Sequence, residues 1–199
     1  LHKNREGGIE DVGPVFFHNP ATNDPLRVAL ETEWADLDGT ATYKREKGAA
    51  GQYAVYDPAG SSEVGYFTAD ATLTVTFDEK DVGSTDPDDN YVSGTIDNFT
   101  TMSDGEATDA GEDWMVALGR SDDVTTNAFT GGDATWSIGD DKSAQKGSYT
   151  ATLYTETASG NLTGPPDEIG GTFNASFGQH RMLGAFAATL STADDPAAE

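Results

Sequence analysis

The chain has 199 residues, 36% hydrophobic and 10% aromatic, with 23 glycines, no cysteine and a net charge of −24 from 35 acidic and 11 basic side chains. The missing cysteines exclude disulfides, thiolate metal sites and cysteine nucleophiles, and the acidity sets the chain against nucleic acid and anionic membrane surfaces as partners. Aromatic residues spread from Phe16 to Phe186 supply the apolar mass that a disordered chain lacks, and the length suits one all-β domain.

Residues 1–38 read as a linker or an extension packed on the main domain. Pro14, Pro20 and Pro25 punctuate it, and Asp24 followed by Pro25 predicts a short helix over Leu26–Trp34, with Asp24 as N-cap and proline at the first helical position. From Gly39 onward the hydrophobic period is two. In the clearest run Phe67, Ala69, Ala71, Leu73, Val75 and Phe77 alternate with Thr68, Asp70, Thr72, Thr74 and Thr76, which is the pattern of a strand with one dry and one wet face. Thr40–Tyr43 and Gln52–Tyr56 precede it. Tyr91–Thr100, Trp114–Leu118, Ala134–Ile138, Ser148–Tyr154, Gly171–Phe177 and Met182–Leu190 follow, so the pattern predicts about eight or nine strands with no helix between them. Residues 193–199 read as a disordered acidic tail.

Long strands with little Lys or Pro inside them would leave two bare edges in an open sheet, so closure is expected. The fold expected is all-β: an eight-stranded antiparallel β-barrel with a filled interior over residues 39–192, preceded by an extended N-terminal segment. Large and small groups alternate on the apolar faces (Phe67 with Ala69, Phe173 with Ala175, Phe186 with Ala188), which suits a packed interior better than a cavity. A transmembrane barrel fits less well, because several strands are short and no aromatic girdle is evident. No run of about 18 apolar residues is present, hence no transmembrane helix, and no signal peptide or lipobox cysteine appears. The chain starts at Leu1, which reads as a fragment of something longer, with room for an anchor outside it.

Candidate chemistry is sparse. Asp86, Asp88, Asp89 and Asn90 form the densest oxygen cluster, in a hairpin loop that offers three or four of the six to eight ligands calcium takes; a melting shift at millimolar calcium is its signature. The spacing is not that of an EF-hand, and a solvated turn explains the cluster more simply. Asp122-Asp123 and Asp140-Asp141 read as turn residues. The acids are scattered, which favours solubility in salty water over divalent-cation sites. His2, His18 and His180 have no metal-motif spacing, and His180 falls at a hairpin tip with no burying environment. No G-x-S-x-G elbow appears. Trp114 and Trp136 fall in phase with Val116, Leu118 and Ile138 and read as core, whereas Tyr154 points outward and is the better exposed aromatic. Recognition is expected on the longer loops, Asn98–Asp113 and Thr155–Glu168.

Gly39–Tyr43, Ala71–Phe77 and Val92–Phe99 resemble successive strands of the β-barrel domain of transferrin-binding protein B-like surface lipoproteins. The closing part is the most specific: Gly147–Tyr154, then Pro165-Pro166-Asp167-Glu168-Ile169-Gly170-Gly171-Thr172-Phe173, then Gly184-Ala185-Phe186. This is similar to the family's final hairpin, in which an acidic residue precedes Gly-Gly-x-Phe and a Gly-x-Phe strand follows. The resemblance spans residues 39–190. It implies a filled barrel displayed outside a Gram-negative cell, extracellular or on the outer-membrane surface, often as one module of a longer protein, and in the best-known members serving iron acquisition. The acidity suggests a marine or halophilic source.

The function expected is a non-catalytic, monomeric cell-surface or secreted binding module for a protein, peptide or glycan, with nutrient or iron acquisition as its setting. The rivals are an accessory or C-terminal domain of a secreted hydrolase and a lipocalin-like carrier of a small apolar ligand. A perturbed buried His or carboxylate would favour the first rival and a large internal cavity the second.

Overall fold

The computed structural model describes residues 26–29, 33, 37–56, 62–77, 90–108, 111–121, 123–125, 128–156 and 162–191. Among these residues twelve strands make one sheet: β1 Arg27–Val28, β2 Gly39–Tyr56, β3 Ser62–Phe77, β4 Tyr91–Ser103, β5 Glu106–Thr108, β6 Trp114–Ser121, β7 Asp123–Thr125, β8 Ala128–Ile138, β9 Asp141–Lys142, β10 Gly147–Thr155, β11 Glu168–Phe177 and β12 His180–Leu190. Eight of them, β2, β3, β4, β6, β8, β10, β11 and β12, follow one another around a closed antiparallel ring, in which β8 pairs with β10 and β12 returns to β2. Every long strand therefore has two neighbours, and the edge problem disappears. The expected all-β, eight-stranded barrel is borne out.

The period-two runs turn their apolar faces inward. Tyr43, Tyr53, Phe67, Leu73, Ile96, Phe129, Trp136, Tyr149, Leu153, Phe173 and Phe186 are fully buried in one continuous core. The wall facing outward on β3 is Thr68, Asp70, Thr72, Thr74 and Thr76, the reverse of a lipid-facing barrel. Among the described residues no helix is long and apolar enough to cross a membrane.

Glycines inside strands make room for rings. A β-carbon on Gly184 would stand 2.7 Å from the Phe173 ring and 2.8 Å from that of Phe67, while one on Gly132 would come within 2.1 Å of the Tyr149 ring. Packing at this density leaves no room for an added carbon.

Four expectations change. Thr40–Tyr43 and Gln52–Tyr56 are the two ends of β2, joined through a bulge between Arg45 and Ala49 that carries Lys47 at φ 52°. Strand pairing continues through the charged Lys44–Lys47 stretch because a bulge absorbs extra residues without ending a ladder. Leu26–Ala29 is extended, whereas Glu33, the other described residue of the expected helix, is helical: Arg27 and Val28 pair with Thr155 and Tyr154, and the Ala29 N–H donates to Leu153 O at 2.9 Å. A free ladder on β10 outweighs the local helix signal. The supposed loop after Asn98 is strand as far as Ser103, turns at Asp104-Gly105 and returns as β5. The strand runs 114–118, 134–138 and 171–177 each extend further, to the bounds given above.

Candidate functional site

Strand direction gives the barrel two unlike ends. At one, called the closed end, β2, β4, β8 and β11 begin and β3, β6, β10 and β12 finish. Residues 162–167 cross it. The Tyr43 hydroxyl donates to Pro166 O at 2.9 Å, and burial together with the Asp167 charge pushes the Tyr43 pKa far up. Asp167 accepts from Thr155 Oγ1 and Glu156 N, and Leu190 N donates to Asp167 O at 2.9 Å. Glu168, 4% exposed, lies 3.8 Å from Arg45; burial raises its pKa and Arg45 opposes the rise. Arg27 and Glu33 form a two-pronged ion pair, at 2.6 and 3.0 Å.

The opposite end is aromatic. Tyr53, Trp114, Trp136, Phe177 and His180 converge there, with Tyr53 and Trp114 edge to face at 5.1 Å and Trp114 and Trp136 at 4.8 Å. Phe177 and His180, on either side of the β11–β12 turn, stack with their rings 21° apart, and each meets Trp136 edge-on. Such offset and edge-to-face pairs are the favoured geometries of aromatic quadrupoles. His180 is half-buried, and its Nδ1 accepts from Tyr56 N at 3.0 Å. The expectation that this histidine lacks a burying environment is thus corrected: the ring is seated between a strand end and two aromatic neighbours.

A polar strip runs beside these rings. The Tyr53 hydroxyl donates to Glu63 Oε1 at 2.5 Å, and its pKa is raised, chiefly by burial and then by that bond. Thr101 Oγ1 reaches both Thr108 O and Thr108 Oγ1 at 2.8 Å, which fastens β5 to the end of β4.

Trp136 is fully buried, and its Nε1–H is the one buried side-chain polar atom among the described residues with no hydrogen-bond partner. Leaving such a donor unmade costs about 1–3 kcal/mol. The tyrosines of the interior behave otherwise. Tyr43 reaches Pro166 O, Tyr53 reaches Glu63, and Tyr149 reaches Val92 O and Gly119 O at 2.6 Å each.

Outside the barrel near the aromatic end lies a second unusual feature. Val64, Tyr66, Met102 and Tyr56 are 54%, 48%, 40% and 44% exposed. Tyr66 and Met102 are cross-strand partners, Val64 is two residues along the same face, and Tyr56 lies on the neighbouring strand. Sequence reasoning missed this patch, although a signal was available. Carried back from Phe67, the period of two puts Tyr66 and Val64 on the threonine side, so both had to face outward.

Of the calcium candidates, Asp86, Asp88 and Asp89 lie outside the described residues, and Asn90 is buried at the foot of β4. No group of three or more metal-ligating side chains occurs among the described residues. His2, His18 and Asp122 also lie outside them; Asp140 is an exposed turn residue as expected, whereas Asp141 opens β9 and Asp123 opens β7. Trp114 and Trp136 are core as expected. Tyr154 is half-buried rather than exposed, with its ring 3.4 Å from where a β-carbon on Gly170 would stand; burial and the Glu168 charge raise its pKa.

Comparison of the chain with protein-family models, with curated proteins and with solved structures finds no match.

Proposed function

We propose that this barrel is a non-catalytic binding module that engages a protein or peptide through the apolar patch of Tyr56, Val64, Tyr66 and Met102. The observation that carries the reading is the change of character along one face of one strand. The outward face of β3 is Thr68, Asp70, Thr72, Thr74 and Thr76 over most of its length, and becomes Val64 and Tyr66 only near the aromatic end. Large apolar groups standing side by side in water mark contact surfaces, and aromatic and methionine side chains are the types enriched in the cores of such contacts. Display outside a Gram-negative cell belongs to the same proposal and is supported by the motifs of the closing hairpin. Glu168, the buried carboxylate that a hydrolase reading would use, is accounted for by its place beside Arg45 at the closed end.

Selection from a displayed peptide library tests the reading. Enriched peptides are expected to bind the wild-type barrel and to lose at least tenfold in affinity for a Val64→Ser, Tyr66→Ser, Met102→Ser triple variant. A Thr74→Asn variant, changed on the same face of the same strand, is expected to bind as the wild type does. Equal binding to the triple variant, or no enrichment at all, would overturn the proposal.

A further inference from the structure

The barrel interior distinguishes its polar groups in a way that points to a second site, independent of the outer patch. Three buried tyrosines each have an acceptor within the protein, whereas the Trp136 indole N–H, buried as deeply, has none among the described residues. Its surroundings at the aromatic end are the rings of Trp114, Phe177 and His180. Phe177 and His180 are only half-buried, and they flank a two-residue turn whose Gly178 has φ 59°. Both rings meet Trp136 edge-on while themselves reaching solvent.

We propose that the aromatic end takes a small neutral ligand, its apolar body among the rings of Trp114, Phe177 and His180 and an oxygen acceptor on Trp136 Nε1–H. The polarity of the site selects this class. His180 Nδ1 already accepts the Tyr56 N–H, so the neutral ring carries its proton on Nε2 and presents a second donor. Donors call for an acceptor and disfavour a cation. An anionic acceptor would have to pass Glu63, Glu112, Asp113, Asp140 and Asp141, which stand at the strand ends and turns around this mouth. A neutral carbonyl or ether oxygen on a ring-sized apolar group meets both conditions. Its hydrogen bond would gain strength from the low-dielectric surroundings.

Three benzene derivatives of similar size separate the requirements: acetophenone has a neutral acceptor, ethylbenzene has none, and benzoate has a charged one. The readout is the indole N–H region of a proton–nitrogen correlation spectrum of the whole 15N-labelled chain, which has three tryptophans, with the Trp136 peak assigned by Trp136→Phe. Acetophenone is expected to move that peak downfield along a saturable curve. Ethylbenzene should cause no downfield movement, and benzoate should need at least a tenfold higher concentration. The Trp136→Phe variant should lose the preference for acetophenone over ethylbenzene while keeping the circular dichroism of the barrel. A Trp136 peak that ignores all three probes overturns the proposal, as does one that follows ethylbenzene as closely as acetophenone. So does an upfield ring-current position in the ligand-free protein, because the N–H then has the face of Trp114 as its partner. The Val64, Tyr66 and Met102 substitutions are expected to leave these titrations unchanged, so the outer patch and the inner site succeed or fail separately.

Discussion

The two ends of the barrel solve the same problem with different means. At the closed end the chain supplies its own partners: Tyr43 finds Pro166 O, Asp167 gathers Thr155 and Glu156, and Leu190 and Ser191 donate to Asp167 O and Thr42 O. At the aromatic end Trp136 is buried as fully, yet among the described residues its indole donor is left over, and the Phe177 and His180 rings that meet it are half in solvent. A fold optimised for stability alone would treat both ends alike, because an orphaned donor is a cost that an apolar residue would avoid. Closure by hydrogen bonds reads as structure, and the unpaired end reads as the place where something else completes the set.

Energetics can break this contrast. Truncating Tyr43 to Ala removes a buried ring and its hydrogen bond together, and the expected loss is about 3–5 kcal/mol in urea-induced unfolding. Tyr43→Phe keeps the ring and leaves Pro166 O without its donor, for an expected loss of about 1–3 kcal/mol. At the other end Trp136→Phe trades a modest loss of packing against relief of the unmade bond, so the expected change is within about 1 kcal/mol of zero. Should Trp136→Phe prove as costly as Tyr43→Phe, the indole N–H is satisfied in solution and the ends do not differ in this respect.

Much of the wall was legible in the sequence, and the two ends were not: Thr155–Glu168 reads as a recognition loop, whereas Pro166 and Asp167 close one end by hydrogen bonds. Alternation is a local property, so β3 and β12 are readable from their own residues. The middle of β2 is not, because Lys44-Arg45-Glu46-Lys47-Gly48 looks like a solvated loop and only pairing on both sides shows it to be a bulge. Gly131-Gly132 falls outside the expected Ala134–Ile138 run for a similar reason, although β8 passes through it. The demand for glycine at 132 comes from the Tyr149 ring on the neighbouring strand, which no local window contains. The Asp24-Pro25 signal is a sound helix start that loses to an open ladder on β10 over Leu26–Ala29, while Glu33 further on is helical. Trp114 and Trp136 were placed in the core by phase alone, but whether an indole N–H finds an acceptor depends on atoms from four strands. Exposure of Tyr66 followed from phase, yet it carried meaning only once Met102 and Tyr56 stood beside it.

Between the two ends the wall itself carries a smaller asymmetry, and pH sharpens it. The bulge in β2 sends the Lys47 N–H to Asp70 Oδ1 at 2.8 Å, and Asn98, at φ 51°, gives its amide to Asp70 Oδ2 at 2.9 Å. Those bonds hold the Asp70 pKa below the usual carboxylate range. Asp97, its cross-strand partner, is shifted the opposite way, by burial first and by the Asp70 charge second. Linkage gives the two opposite signs. Asp70 contributes stability that is present above the ordinary Asp pKa of about 3.9 and is lost as pH falls through its depressed value. Asp97 is better tolerated protonated, so its ionisation takes stability away as pH rises from about 3.9 through its raised value. Asp97→Asn should therefore stabilise the barrel at neutral pH, by about 0.5 kcal/mol or less because solvent screens this surface pair. The gain should vanish below the carboxylate range and shrink in high salt. Asp70→Asn should destabilise at neutral pH, with the difference from wild type closing in acid. Urea midpoints for both variants across the acid range check the pair. Parallel shifts of the same sign would mean that the two carboxylates do not act on each other through the bulge.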